Sequence, residues 1–238
     1  MQTTNKNFID VVGGSSGIAR RDFLKYTGMG LASAILIANA ESCKKDNNGV
    51  TNPHNGATVN LSNDDTGILN YAYALEQLEA AFYTQVLTGK YYLNAPANEK
   101  AILADIQMHE VCHREFFKAA LGTSAIIGLT PFFSNINFDD RTSVLSTAKA
   151  FEDLGVSAYN GAAYYINNTA YLGLAGKIVS VEARHASAIR DLLSPNSASF
   201  AGDDQVDAST GLDKSSVPSV VLVSASAYIT NTITSQLP

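Results

Sequence analysis

Six side chains in this sequence have the types and spacing to hold metal: Glu76, Glu110, His113, Glu152, Glu182 and His185. Glu110-Val111-Cys112-His113 and Glu182-Ala183-Arg184-His185 both read Glu-x-x-His. On a helix, residues three apart share a face, so each pair can point at one ion. Glu76 and Glu152 each interrupt an otherwise apolar stripe. A buried ionised carboxylate is costly unless it is paired or bound to a cation. The stripes offer no Lys or Arg, so a pair of divalent metals is the cation that removes the repulsion. Two Glu-x-x-His segments plus one Glu from each of two further helices make the ligand set of carboxylate-bridged metal pairs. Carboxylate-rich, imidazole-poor ligation suits iron or manganese better than copper. The expected cofactor is therefore two Fe ions, with Mn as the alternative.

Four amphipathic helices must position these groups. The first is expected over about Thr66 to Leu87, capped by Asp64 and Asp65, with stripe Leu69, Ala72, Glu76, Tyr83, Leu87. The second runs from about Asn98 to Leu121 and stops at Gly122; its stripe holds Leu103, Ile106, Glu110, His113 and Phe117. The third is expected over Arg141 to Asn167, with Leu145, Ala148, Glu152, Tyr159, Ala162 and Ile166 on its face. The fourth runs from Tyr171 to Leu193, with Ile178, Glu182, His185, Ile189 and Leu192, and Pro195 ends it.

The chain repeats itself. Glu76-Gln77-Leu78 with Tyr83 matches Glu152-Asp153-Leu154 with Tyr159, and each motif leads to a Glu-x-x-His. Lys118 and Leu121 then match Arg190 and Leu193. Two helical hairpins related by a pseudo-two-fold would share one metal pair, joined by a long crossover that includes Asn135 to Asp140. The fold class is all-α: an up-down four-helix bundle with a long crossover between helices 2 and 3.

Residues 65–195 resemble the ferritin-like superfamily. The runs from Leu75 to Tyr83, His109-Glu110-x-x-His113, and Ala150 to Tyr159 resemble its branch of exported bacterial ferritin-like proteins related to plant desiccation-related proteins. The resemblance implies a ferritin-like fold and maps the superfamily's metal ligands onto the same six residues. It brings no particular activity with it.

The same residues carry competing readings. His109-Glu110-Val111-Cys112-His113 also spells His-Glu-x-x-His, a zinc-protease pattern with two imidazole ligands and a glutamate base. It lacks a third ligand nearby and leaves Glu76, Glu152, Glu182 and His185 without a role. His109 is then an outer-shell or helix-flank residue, since Val181 holds its place in the second half. Glu79 is read as solvated, because Gly155 stands at the matching position. Tyr83 and Tyr159 are candidates for donors behind the ligands. Cys112 points off the ligand face and is expected to be a packed thiol.

The N-terminal part reads as an address. Arg20-Arg21-Asp22-Phe23-Leu24-Lys25 precedes an apolar stretch from Tyr26 to Ala40, and the order resembles a twin-arginine export signal. Cys43 follows, in surroundings that resemble a lipoprotein processing site, although Glu41 departs from the small residues such sites prefer. The domain reading is a signal segment over 1–42, a flexible tether over 43–65, the bundle over 66–195 and an extension over 196–238 with a short helix near Pro218 to Ile229. The expected location is the periplasm or cell envelope, lipid-anchored at Cys43.

Composition limits the partners. The 238-residue chain is 46% hydrophobic and 16% charged, with net charge −6, and it has no basic stripe, so nucleic acid is excluded. Two cysteines are too few for a disulfide framework. The expected partners are metal ions, O2 or peroxide, the membrane through Cys43, and a second copy of the chain. The expected function is oxygen- or peroxide-dependent redox chemistry, such as ferrous oxidation by a di-iron oxidase or peroxidase. A stress or desiccation-related envelope protein with a structural metal is the alternative, and mineral storage is a variant that a membrane tether would suit poorly.

Overall fold

The computed structural model describes residues 56–238. The export signal around Arg20 and Arg21, the lipidation site Cys43 and the tether up to Asn55 lie outside the described residues. The elements run β1 (Thr58–Leu61), α1 (Asp65–Val86), α2 (Lys90–Asn94), α3 (Ala97–Leu121), α4 (Arg141–Ala162), α5 (Thr169–Leu193), α6 (Pro218–Ser226) and β2 (Thr232–Ser235). The four long helices form the expected bundle. α1 packs along α3 and α4 along α5, giving two hairpins joined by the crossover from Gly122 to Asp140. No described helix is long and apolar enough to cross a membrane.

Local chemistry sets the helix ends. Asp64 caps α1 by accepting from the Gly67 N–H at 2.8 Å. Asp65 instead accepts from the N–H groups of Asn167 and Asn168, each at 2.8 Å, and so ties the start of α1 to the loop between α4 and α5. Gly122 ends α3 at φ 55°, where a side chain would be strained. Asp140 caps α4 through the Ser143 N–H. Helix α4 ends at Ala162, short of Asn167, and one 3-10 turn over Ala163–Tyr165 replaces its expected last turn.

The crossover is strapped to the bundle by side chains. Asn70 donates to the Ser124 carbonyl and accepts from Ile126 N–H; Gln77 accepts from Leu129 N–H. As a result α1 is buried on nearly every side from Gly67 to Tyr83, not along one stripe. The larger apolar core joins Phe82, Leu103, Leu145, Phe151 and Ile189 and extends to Ile68, Leu75 and Ala162. A smaller cluster includes Phe117, Tyr159 and Ile178.

The tether reading fails at its C-terminal end. Thr58–Leu61 is a strand that pairs in parallel with Thr232–Ser235. Val59 and Leu61 are buried while Thr58 and Asn60 are exposed, an alternation too short to register beside helical periodicities. The C-terminal extension does form a short helix, α6, which seats Val221, Leu222 and Ala225 against α4. The segment before it donates from Ser216 N–H to the Ser157 carbonyl of α4.

Candidate metal centre

Each long helix contributes its carboxylate from the middle of its length. Glu76, Glu110, Glu152 and Glu182 are all fully buried, and His185 is 4% exposed. The structure brings the six residues together in two groups of ligand atoms, each within 4.8 Å: Glu76, Glu110, His113 and Glu182, and then Glu110, Glu152, Glu182 and His185. The two groups share Glu110 and Glu182. These two glutamates come from the two Glu-x-x-His segments, and each turns one oxygen to each group. Glu110 Oε1 lies 2.7 Å from His185 Nδ1 and its Oε2 3.6 Å from His113 Nδ1. Glu182 Oε1 lies 2.9 Å from His113 Nδ1 and its Oε2 3.6 Å from His185 Nδ1. Glu76 Oε2 faces only His113, at 3.4 Å, and Glu152 Oε2 only His185, at 3.5 Å.

The donor set fits a pair of cations. The inward atoms, Glu76 Oε2, both oxygens of Glu110 and Glu182, Glu152 Oε2, and Nδ1 of both histidines, are buried and make no hydrogen bond. Close approach without hydrogen-bond geometry leaves these lone pairs converging on two points, an arrangement that costs several kcal/mol unless positive charge lies there. Four carboxylates balance two divalent ions when both imidazoles are neutral.

Protons stand in for that charge in the metal-free protein. Burial would raise the Glu110 carboxyl, but the two histidines beside it hold it down at about 2. Burial and its carboxylate neighbours push Glu152 up to about 8, against the pull of His185. Glu76 is raised by burial and by Glu182. Burial alone would lower His185, yet the three carboxylates around it push it up to about 12. His113 is raised the same way by Glu110, Glu182 and Glu76.

Three further groups position the ligands. Tyr83 on α1 donates to Glu152 Oε1 on α4 at 2.5 Å, and Tyr159 on α4 donates to Glu76 Oε1 on α1, so the two halves exchange tyrosines. Both phenols are buried and held in the protonated form, first by burial and then by the adjoining carboxylates. The rings of His109 and His185 lie nearly parallel, with His109 Nδ1 2.9 Å from His185 Nε2. With His185 Nδ1 turned to the carboxylates, its Nε2–H donates to His109, which fixes the ring. His109 therefore stands behind a ligand and does not join either group, so the zinc-protease reading loses one of its two imidazoles. Glu110, its proposed base, is instead shared by both groups.

Two expectations are corrected. Glu79 is not solvated: it is 4% exposed and its carboxyl is raised by burial and by Glu182. The glycine that suggested solvation makes its room, because a Cβ on Gly155 would stand 3.1 Å from Glu79 Oε1. A mid-helix glycine facing an acid across the repeat is the signal that could have shown this. Cys112 is exposed, not packed, because α3 is covered on its ligand side only.

A family model for the ferritin-like domain matches residues 64–195. No curated protein matches the chain.

Proposed function

The chain belongs to the ferritin-like domain family, and on that premise we propose that it is an exported di-metal protein carrying out oxygen- or peroxide-dependent redox chemistry, such as ferrous oxidation. The observation that carries this reading is the ring of buried, unbonded ligand atoms from Glu76, Glu110, His113, Glu152, Glu182 and His185. Two iron ions held there, or two manganese, would supply one-electron oxidation and the activation of oxygen or peroxide.

The residues divide the work. Glu110 and Glu182 turn one oxygen to each position and so would hold both ions. Glu76 with His113, and Glu152 with His185, serve one position each. Tyr159 and Tyr83 donate to the outer oxygens of Glu76 and Glu152 and so leave the inner oxygens free to ligate. The phenols also place a held proton one bond away from each terminal carboxylate. The site is asymmetric, because His109 anchors His185 while Val181, which offers no hydrogen bond, holds the matching position in the second half. The two positions are therefore unequal, with the firmer imidazole on the Glu152 side. The Arg20-Arg21 segment and Cys43 fit export to the envelope and a lipid anchor there, in line with the branch of exported, desiccation-related proteins.

One preparation tests location and cofactor together. Protein recovered from the envelope fraction after its own export is expected to hold two equivalents of iron or manganese, and Glu110→Ala less than one. Anaerobic loading with ferrous iron, followed by oxygen, is expected to give a rapid ferric absorbance. Metal bound without that absorbance would favour a structural metal, and an exported protein with less than one equivalent would remove the cofactor assignment.

A further inference from the structure

Three segments far apart in the chain meet on one side of the bundle, and none of them carries a charged side chain. Residues 56–63, 122–138 and 215–238 contain no Asp, Glu, Lys or Arg, in a chain of which 16% is charged. They are bonded to one another. Phe132 N–H donates to the Tyr228 carbonyl at 2.7 Å, Thr230 N–H to the Thr130 carbonyl at 2.9 Å, and Gly56 N–H to the Thr230 carbonyl at 3.0 Å. The Asn231 side chain joins all three segments, accepting from Thr130 N–H and donating to the Ala57 carbonyl. The crossover lies along α1, held by Asn70 and Gln77, and α6 lies on α4. The uncharged layer therefore covers the side of the bundle where α1 meets α4. The exposed charges Asp105, Glu115, Lys118, Lys177, Arg184 and Asp191 stand on α3 and α5, which meet on the other side.

Burial does not account for the missing charge. Thr123, Ile127, Thr130, Pro131 and Asn135 are all exposed. In α6, Val221, Leu222 and Ala225 are buried against the bundle, while Val220 and Val223, with Val217 at the cap, are 56%, 74% and 41% exposed. Steps of three place these valines on one face. A surface of valine, isoleucine and hydroxyl side chains without charge suits the boundary of a lipid bilayer, where a charge is costly and an apolar helix face is buried.

The course of the chain points to the same occupant. Gly56, bonded to Thr230, is where the chain coming from Cys43 joins this layer. Residues 44–55 separate the two, a reach of about 40 Å at full extension. A tether that short keeps its load at roughly millimolar effective concentration, so even a weak contact stays occupied.

We propose that the uncharged layer is a membrane-facing surface. With Cys43 held in the bilayer, α6 lays Val217, Val220 and Val223 at the lipid boundary, and the α3 and α5 side, with His109, faces the aqueous phase. This rests on the reading of Cys43 as a lipid anchor and adds the face that the anchored protein turns to the membrane.

The chain has no tryptophan, so a single one introduced by substitution reports alone. Val223→Trp and Lys177→Trp are prepared in the full chain, recovered from the envelope with its own anchor, and reconstituted in vesicles of brominated, uncharged phosphatidylcholine. Val223→Trp is expected to lose most of its emission to the bromine and Lys177→Trp to keep it. The loss is expected to persist in about 1 M salt, where the Debye length falls to about 3 Å, because no cation makes the contact. Adding Val217→Asp and Val220→Asp, both at exposed positions, is expected to restore the emission with helical circular dichroism and metal content unchanged. Equal quenching at the two positions, quenching at neither, or quenching that survives the acid pair in folded protein would overturn the proposal. So would a dimer of the unanchored Cys43→Ser chain that sedimentation shows and the acid pair abolishes, since a second copy would then cover this face. The mass of the recovered protein tests the anchor separately. An unlipidated Cys43 defeats the anchor reading, and a maleimide lipid coupled to Cys43 of the Cys112→Ser chain then supplies the same tether for the same quenching measurement.

Discussion

His185 shows how much of this site depends on a residue that holds no metal. Its Nδ1 faces three carboxylates and its Nε2 faces His109, so the ring cannot turn without losing both sets of contacts. His113 has a similar set of carboxylates and no such anchor. Removing an outer partner of a ligating histidine typically lowers metal affinity by roughly 10- to 100-fold. His109→Ala is therefore expected to weaken one of two metal-binding steps by about that factor and leave the other nearly unchanged. Stepwise titration with Mn(II) or Co(II) would show it, and equal weakening of both steps would mean that His109 acts on the fold and not on one position. Glu79 makes the complementary point. It is a fifth buried acid beside the centre, admitted by Gly155, and burial first and the neighbouring carboxylates second raise its carboxyl above the ordinary range.

At the scale of elements, the repeat has diverged where it meets the rest of the chain. Lys118 on α3 and Arg190 on α5 occupy matching positions, but Lys118 is exposed and Arg190 is 3% exposed. The Arg190 guanidinium makes a fork to Asp153 of α4 at 3.0 and 2.7 Å and reaches Asp204 of the extension at 2.6 Å. It thus joins the second hairpin to the segment that follows it. Removing the guanidinium leaves Asp153 and Asp204 paired with Lys149 alone, at 3.3 and 3.5 Å, and the lost charge-assisted hydrogen bonds cost about 2 kcal/mol. Arg190→Met is expected to lower unfolding stability by about that amount in denaturant titration, and Lys118→Met by less than about 0.5 kcal/mol, the usual range for an exposed position. Equal losses would show that the fork to Asp153 and Asp204 adds nothing.

For the whole molecule, the metal centre sets how stability responds to pH. The folded Glu152 carboxyl lies near 8 and that of Glu76 is raised too, so folded metal-free protein holds protons that the unfolded chain releases above the ordinary carboxylate range. His185, pushed up to about 12, holds its proton above the ordinary histidine range as well. In each case the folded state binds more protons than the unfolded one, so stability falls as pH rises. Glu110 has the opposite sign, but its effect lies below about pH 4.5, where its depressed carboxyl is protonated on unfolding. Metal-free protein is therefore expected to melt at a lower temperature at pH 8 than at pH 5.5. Bound metal takes over from the protons, so its affinity is expected to rise over the same interval. A melting temperature that rises from pH 5.5 to 8 in chelated protein would contradict the buried, proton-filled centre.

The sequence by itself determined the four long helices, the end of α3 at Gly122, the two Glu-x-x-His faces and the tyrosines that stand behind them. These depend on spacing along one helix, and a 3.6-residue period fixes which side chains share a face without reference to anything distant. Only the tertiary structure decided what covers each face. Glu79 is buried because Gly155 lies across from it, His109 is useful because His185 meets its Nδ1, and Cys112 is exposed because no described residue packs over that side of α3. Thr58–Leu61 is a strand because a partner arrives from the far end of the chain. Such contacts join residues far apart in the chain, and local periodicity carries no record of them.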